Sequence, residues 1–430
     1  IWGADPDERI RISANWLSLS APRPLFISDL WLPLHLYFLA LIIKIFHSLT
    51  TVPRIMHVLI GCISIIPFYG LVKLIFDKRT AFYSTILLIF YPLHLLCSIV
   101  TLSEIVFLLL FLAFVYYYFK YLSVNNNKYL LLCILFFALS SMIRYESWIF
   151  IPIITLHMIF NKRIKESIIF FVFTILFPVT FIAWMRMPIT YTETLIKNKY
   201  LVRNVYIDLY WIKVLTKYFS PPLLSAGLLG IFLSFKNKKA LLLLIIPISL
   251  FLFFTYGIST NTLAKNDEFA LSFSVFLMPF ILQGLFLVFD KMKLFSKILM
   301  PLTVSVILLF FVNTSIGLIQ RYPDYINRIA IYLRYNLGNH EKALLYNCAL
   351  ELNHIPIISG FPTERFSIAG AGGDSLYTKD SIDAYINKNK PKYIVYSEKC
   401  KAPLSFLNKR IFLDNIMKAG DYKLYRAIYD

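Results

Sequence analysis

The stretch SEIVFLLLFLAFVYYYFKYL (residues 103–122) decides the class of fold. Glu104 and Lys120 are its only charged side chains, and nearly everything between them is aliphatic or aromatic. An α-helix rises 1.5 Å per residue, so ~20 such residues cross the ~30 Å hydrocarbon core of a bilayer. Apolar runs of this kind fall at 54–76, 81–100, 104–122, 129–143, 147–160, 167–185, 219–235, 240–256, 269–290 and 298–318. A further run, 31–48, is less clean because it holds His35, Lys44 and His47. Of the 430 residues 58% are hydrophobic and 16% charged, whereas soluble domains carry about a quarter charged residues. The pattern predicts an all-α polytopic membrane protein.

The net charge of +19 is not spread as a nucleic-acid-binding surface would be. Its lysines and arginines sit in short clusters between apolar runs: Asp77-Lys78-Arg79, Lys120 to Lys128, Asn161 to Lys165, Lys236 to Lys239 and Lys291 to Lys297. Positive loops stay on the cytoplasmic side of a membrane. With these clusters inside, alternation holds for all ten runs, provided 31–48 is a re-entrant or interfacial helix that makes no net crossing. The N-terminal acids, the Glu104 loop, the Arg144-Tyr145-Glu146 turn and the 321–430 tail then all fall on the extracytoplasmic face. The expected organisation is an acidic loop with juxtamembrane helices over 1–53, a helical bundle over 54–320 and a small extracytoplasmic α/β domain over 321–430. The chain begins with Ile1 rather than Met, and a preceding spanning helix is expected.

Ionisable groups beside apolar spans are costly unless paired or facing a wet cavity. Glu104 is one, either a helix-start acid that suits the dipole or a site residue. Arg144 and Glu146, in SSMIRYESWI (140–149), either form a simple ion pair with Trp148 anchoring the interface or belong to the same site. Arg54 follows Pro53 at a helix start, where the dipole disfavours a cation and an anionic partner would favour it. Segment 186–217 interleaves Tyr191, Tyr200, Tyr206, Tyr210 and Trp211 with Lys197, Lys199, Arg203, Lys213 and Lys217. Such a segment lies at headgroup level, either as an anchor or as a holder of a lipid phosphate. At the start of the chain Asp5, Asp7 and Glu8 crowd together, which a solvated turn would tolerate.

In the tail, IPIISGF (355–361) and KPKYIVYS (390–397) read as short strands and DSIDAYINKN (380–389) as a helix between them. GAGGDS (370–375) is a glycine-rich turn without the strand and helix setting of a nucleotide site. Five cysteines show no metal-ligand spacing. Cys62, Cys97 and Cys133 read as small packing residues, and Cys348 and Cys400 are placed to pair in an oxidising compartment.

Taken in order, DPDERIRISANW (5–16), LWLPLHLYFLALI (30–42), the Pro53-Arg54 helix start, VTLSEIVFLLLF (100–111) and SMIRYESWIFIP (141–152) resemble the GT-C membrane glycosyltransferases. Within them the pattern is most similar to glycosyltransferase family 39, the protein O-mannosyltransferase-like group, over residues 1–160. The resemblance implies a polyprenyl (dolichyl) phosphate sugar donor, an extracytoplasmic protein, lipid or glycan acceptor, and transfer with inversion. It implies that the family's acidic dyad is Asp7-Glu8, with Asp5 in competition. It matches the family's juxtamembrane Pro-Leu pair to Pro33-Leu34, beside His35, and its second acidic motif to Ser103-Glu104. Where members often open a late helix with an arginine-tyrosine pair, this chain has Asn266-Asp267-Glu268-Phe269, and Lys265 is the nearest substitute.

The chemistry agrees with these residue types. A carboxylate takes the proton of the attacking hydroxyl, and fixed cations meet the charge developing on a lipid phosphate leaving group. Clustered acids can also hold Mg²⁺ or Mn²⁺. Two other classes remain open from the sequence. A transporter or flippase would place its charges at mid-bilayer on broken helices and show repeated halves. A non-catalytic membrane subunit would tolerate loss of the acids.

Overall fold

The computed structural model describes residues 4–18, 31–185, 208–260, 263, 265–291, 296–319, 324–338, 340–347, 355, 359, 365–370, 386–397, 411–419 and 421–429. In chain order the helices are α1 (Ala4–Ser18), α2 (Pro33–Phe46), α3 (Thr51–Ile75), α4 (Lys78–Phe90), α5 (Pro92–Ile99), α6 (Ser103–Val124), α7 (Asn127–Ser141), α8 (Phe150–Phe160) and α9 (Ile164–Met185). They continue as α10 (Tyr210–Leu233), α11 (Lys238–Ser259), α12 (Leu271–Ser274), α13 (Met278–Lys291), α14 (Ser296–Ile319) and α15 (Asp324–Asn336). Five strands follow: β1 (Ala343–Asn347), β2 (Phe366–Gly370), β3 (Tyr393–Ser397), β4 (Ile411–Ala419) and β5 (Tyr422–Tyr429). The chain divides into two compact units, one of 28–35 with 54–319 and one of 1–27, 36–53 and 320–430.

The first unit is a membrane bundle. Among the described residues seven helical segments are long and apolar enough to cross a bilayer: Thr51–Ile75, Ser103–Val124, Ile164–Ile182, Tyr210–Lys236, Lys238–Ser259, Asp267–Asp290 and Ile298–Leu318. The protein is a multi-pass integral membrane protein. The run expected over 81–100 is not one straight span. It breaks by 52° between α4 and α5, because Tyr91 precedes Pro92 and takes an extended conformation (ψ 124°) instead of a helical one. Counting that bent pair, up to eight segments qualify among the described residues. The runs at 129–143 and 147–160 are shorter apolar helices.

Burial follows from what surrounds each helix. α6 and the segment Asp267–Asp290 are the most enclosed spans, and aromatic rings pack along α6: Phe107 on Phe111 at 5.1 Å, Phe111 on Phe150 at 5.1 Å and Phe114 on Phe137 at 4.9 Å. Peripheral helices turn their largest side chains outward, with Ile63 and Ile66 exposed on α3 and Phe173 and Leu176 on α9. Such faces are stable only in hydrocarbon, where lipid tails replace water. Cys97 and Cys133 are buried as expected of small packing residues, whereas Cys62 is exposed on α3. It faces outward with Ile63 and Ile66 rather than filling the core.

The tightest helix crossing joins α10 and α13. A Cβ on Gly230 would lie 1.8 Å from the carbonyl oxygen of Phe280, and one on Gly284 would lie 1.9 Å from that of Ala226. Both obstacles are backbone, so a rotamer change cannot relieve them. Small residues that let backbones approach are what replaces the hydrophobic effect between helices in lipid. Gly284→Ala is therefore expected to cost more than the ~1–3 kcal/mol of ordinary overpacking. An unchanged unfolding midpoint in detergent would contradict this account of the crossing.

The second unit contains the sheet. Its strand order is β2-β1-β3-β5-β4; β1 runs parallel to β2 and β3, and β5 pairs antiparallel with β3 and β4. Alternation along the strands serves two layers. Leu345, Val395 and Leu424 pack with Ile326, Ile329, Ala330 and Leu333 of α15 on one face, while Leu344, Ile394 and Ala427 pack with Ile386 on the other. Strands covered on both faces belong to an α/β arrangement, which matches the small domain expected at the C-terminal end. KPKYIVYS supplies β3, but IPIISGF is not a strand where it is described: Ile355 and Ser359 are helical. Cys348 and Cys400 lie outside the described residues, as does GAGGDS beyond Gly370.

In the same unit, the acidic start of the chain is not a turn but the first helix. Acids suit the first turn of a helix because they complement its dipole. Glu8 continues that logic one step further along, accepting from Arg11 Nε at 2.7 Å. The opposite stripe of α1 is apolar: Ile10, Ala14 and Leu17 pack on Leu39, Ile43 and Leu49. Ser13 Oγ donates to the Leu36 carbonyl at 3.1 Å, and Trp16 meets Tyr37 edge to face at 5.5 Å.

Candidate active site

A buried charge cluster lies at one end of α6 in the membrane unit. The sharp turn after α7 puts Arg144 in extended backbone (φ −143°, ψ 140°), followed by a short 3-10 turn over Tyr145–Ile149. This re-aims the chain and points the guanidinium inward. Arg144 Nε donates to Glu146 Oε1 at 2.8 Å, and its Nη2 reaches the same oxygen. Nη1 donates to Glu104 Oε1 and lies 3.5 Å from Ser103 Oγ. The Phe269 ring covers the guanidinium, its centroid 4.8 Å from Cζ. Glu104, Glu146 and Glu268 are all about 95% buried, with 5%, 5% and 6% of their surface exposed. Burial alone would pull Arg144 down, yet Glu104, Glu146 and Glu268 outweigh it and hold the guanidinium well above its ordinary range.

Arg144 and Glu146 do pair, and Glu104 joins them across 40 residues of sequence. Glu104 stands in the first turn of α6, and its carboxylate accepts from Arg144. With its fork engaged by two carboxylates, Arg144 is an organiser of acids. The acids in turn present acceptor oxygens suited to hydroxyl groups.

The N-terminus of α2 is tied to this turn. The Leu34 N–H donates to the Met142 carbonyl at 3.0 Å. His35 is fully buried, and its Nε2 lies 3.0 Å from that of His57 on α3. One ring must donate and the other accept, so the pair fixes opposite tautomers. His57 sits unremarked in an apolar run, and a lone histidine there gives no sequence signal of its partner. Arg54 is exposed in the first turn of α3.

A second cluster grows from the residue beside Glu268. Asp267 accepts from Tyr210 Oη at 2.5 Å, from Tyr218 Oη at 2.9 Å and from Lys217 Nζ. Lys265 pairs with Asp208 at 2.5 Å, and that bond is the main cause holding Asp208 below its ordinary value. Segment 186–217 is thus in part the start of α10, which carries Tyr210, Trp211, Lys213, Lys217 and Tyr218; residues 186–207 lie outside the described residues. Glu268 and Phe269 were visible in sequence only as a departure from the family pattern. Their signal was an acid pair opening an apolar run. Asp5 and Asp7 are backbone residues of α1 whose side chains lie outside the described residues. Among the described residues no three His, Cys, Asp or Glu side chains are grouped to hold a metal ion.

The fold formed by these elements is that of the GT-C membrane glycosyltransferases. The structure matches ArnT from Cupriavidus metallidurans bound to undecaprenyl phosphate with a TM-score of 0.67 and 12% identity, over 98% of this chain and 93% of that one. It matches the archaeal oligosaccharyltransferase AglB from Archaeoglobus fulgidus, in complex with an inhibitory peptide and a dolichol-phosphate, with a TM-score of 0.60 and 15% identity, over 92% of this chain. The chain spans 66% of the length of that enzyme, and 65% of that of an Archaeoglobus fulgidus oligosaccharyltransferase tethered with an acceptor peptide. At these identities the likeness is one of fold. In sequence, residues 28–185, which carry His35, Arg54, Glu104, Arg144 and Glu146, are similar to the family described as dolichyl-phosphate-mannose-protein mannosyltransferase. No curated protein matches the chain.

Proposed function

We propose that this protein is an inverting glycosyltransferase that moves a hexose, of mannosyl type, from a polyprenyl or dolichyl phosphate to an acceptor hydroxyl on the extracytoplasmic side. The observation that carries the reading is the buried Glu104–Arg144–Glu146 cluster lying inside the matched family segment. The neighbours' complexes with undecaprenyl phosphate and dolichol-phosphate support the donor class. The acceptor peptide on the archaeal enzyme supports a protein acceptor.

In this reading Asp7 takes the proton from the attacking hydroxyl, with Asp5 as the competing base. Glu8 is engaged by Arg11 and is left to position its neighbour. A general base of this kind contributes ~10²–10⁴-fold. Glu104 and Glu146 bind sugar hydroxyls, while Arg54, Lys217 and Lys265 supply cations for the lipid phosphate. The acceptor oxygen bonds to the anomeric carbon from the face opposite the phosphate as the bond from that carbon to the phosphate oxygen breaks, so polyprenyl phosphate leaves, the proton stays on the base and the anomeric centre inverts.

The test uses purified protein in vesicles with a radiolabelled polyprenyl-phosphate hexose in the bilayer and a hydroxyl-bearing peptide inside. Transfer of label to the peptide, with one polyprenyl phosphate released per sugar, is expected. Movement of intact donor across the bilayer without transfer would replace this reading with a flippase.

A further inference from the structure

The membrane unit holds a groove of about 790 Å³ between α3 and α6, lined by Ile63, Ile66, Pro67, Leu109, Leu110 and Ala113 along its length. Such a volume is within the range of small-molecule sites. Its far end changes character: Lys73, Lys120, Tyr69, Tyr116 and Tyr117 close it. Lys120 Nζ lies 3.2 Å from Tyr116 Oη and 4.6 Å from the centre of the Tyr129 ring, and Lys73 Nζ lies 6.0 Å from the centre of the Tyr69 ring. Among the described residues no carboxylate pairs with either ammonium.

The dimensions fit one leaflet. From Ile63 to Lys73 is ten residues, or about 15 Å of helix, which is half of a ~30 Å hydrocarbon core. Gly70 opens the middle, since a Cβ there would meet the Tyr116 ring at 2.8 Å. Exposed Ile63 and Ile66 give lateral access from lipid. On α6 the lysine end is sixteen residues, or about 24 Å, from Glu104, so the groove opens at the opposite membrane interface from the charge cluster. Lys78 and Arg79 open α4 and Lys128 stands in the first turn of α7 at that same end, and a basic rim draws anionic lipid.

We propose that this groove is a binding site for an anionic phospholipid, one acyl chain lying along the apolar trough and the phosphate held between Lys73 and Lys120 with the tyrosine hydroxyls as donors. The lipid fills a void that would otherwise leave α3 and α6 without packing partners on that side, so its presence holds the bundle together.

The full chain, purified in detergent, is offered equimolar phosphatidylglycerol, phosphatidylcholine and undecaprenyl phosphate and examined by native mass spectrometry, with the unfolding midpoint followed in parallel. The wild type is expected to retain one phosphatidylglycerol in preference to phosphatidylcholine by roughly 30-fold, the factor two lysines near a membrane surface supply toward an anionic headgroup. Lys73→Gln with Lys120→Gln should remove that preference and the stabilisation by phosphatidylglycerol. Leu109→Trp, which fills the trough and keeps both charges, should lower the retention of either phospholipid. Equal retention of neutral and anionic lipid by the wild type, or an unaltered preference in the lysine variant, would overturn the proposal. Displacement of phosphatidylglycerol by undecaprenyl phosphate one for one would also overturn it, by assigning the groove to the donor.

Discussion

Replacing Arg144 with methionine is expected to destabilise the membrane unit by ~3–5 kcal/mol, the cost of leaving buried charges without their partner. The reason is the imbalance around it. Three glutamates, each about 95% buried, face one guanidinium, and removing the cation strands them in a region with little water. Arg144→Lys should recover part of the loss, because an ammonium keeps the charge but cannot span Glu104 and Glu146 with a fixed fork. The combined variant Arg144→Met, Glu104→Gln, Glu146→Gln should regain much of the stability, since buried ion pairs replaced as a set are often neutral. It should not regain sugar transfer. That separation distinguishes a cluster that works on substrate from one that only braces α6 against the turn after α7. Unfolding midpoints and transfer rates measured on the same preparations give both readouts.

Much of the membrane unit could be read from hydropathy, because a bilayer demands long apolar helices whatever their tertiary contacts. Glu104, Arg144 and Glu146 were legible for a related reason: charge beside an apolar run must be compensated, and the structure compensates all three with one another. Features that depend on tertiary contact were not legible. The bend at Tyr91 needs the ring to be accommodated, and it is, stacked on Phe219 at 5.1 Å. His57 and Glu268 acquire meaning only through partners far away in sequence. The acids at the chain start looked like a turn because the apolar stripe of α1 is short, and its partners Leu39 and Ile43 lie in a second helix. Strands β1 and β2 were missed because each is only five residues long, and β4 and β5 because three of the four strand pairs join residues more than twenty positions apart in the chain.

The second large effect belongs to Asp7. If it is the base, Asp7→Asn keeps size and hydrogen-bonding shape but cannot accept the acceptor's proton, and transfer should fall ~10²–10⁴-fold. The fold should be unaffected, because an asparagine in the first turns of α1 disturbs neither the Glu8–Arg11 pair nor the Ile10 stripe. Asp5→Asn should leave most of the activity, and Asp5→Asn with Asp7→Asn should be no worse than Asp7→Asn alone. A reversal of the two single variants would move the role to Asp5 without changing the chemistry.

The most direct measurement is single-turnover transfer from radiolabelled polyprenyl-phosphate hexose in vesicles by the wild type, Asp5→Asn, Asp7→Asn and the double variant, each at matched folded fraction. The account predicts transfer by the wild type and a fall of at least ~10²-fold on loss of the base. Full transfer by the double variant would contradict it.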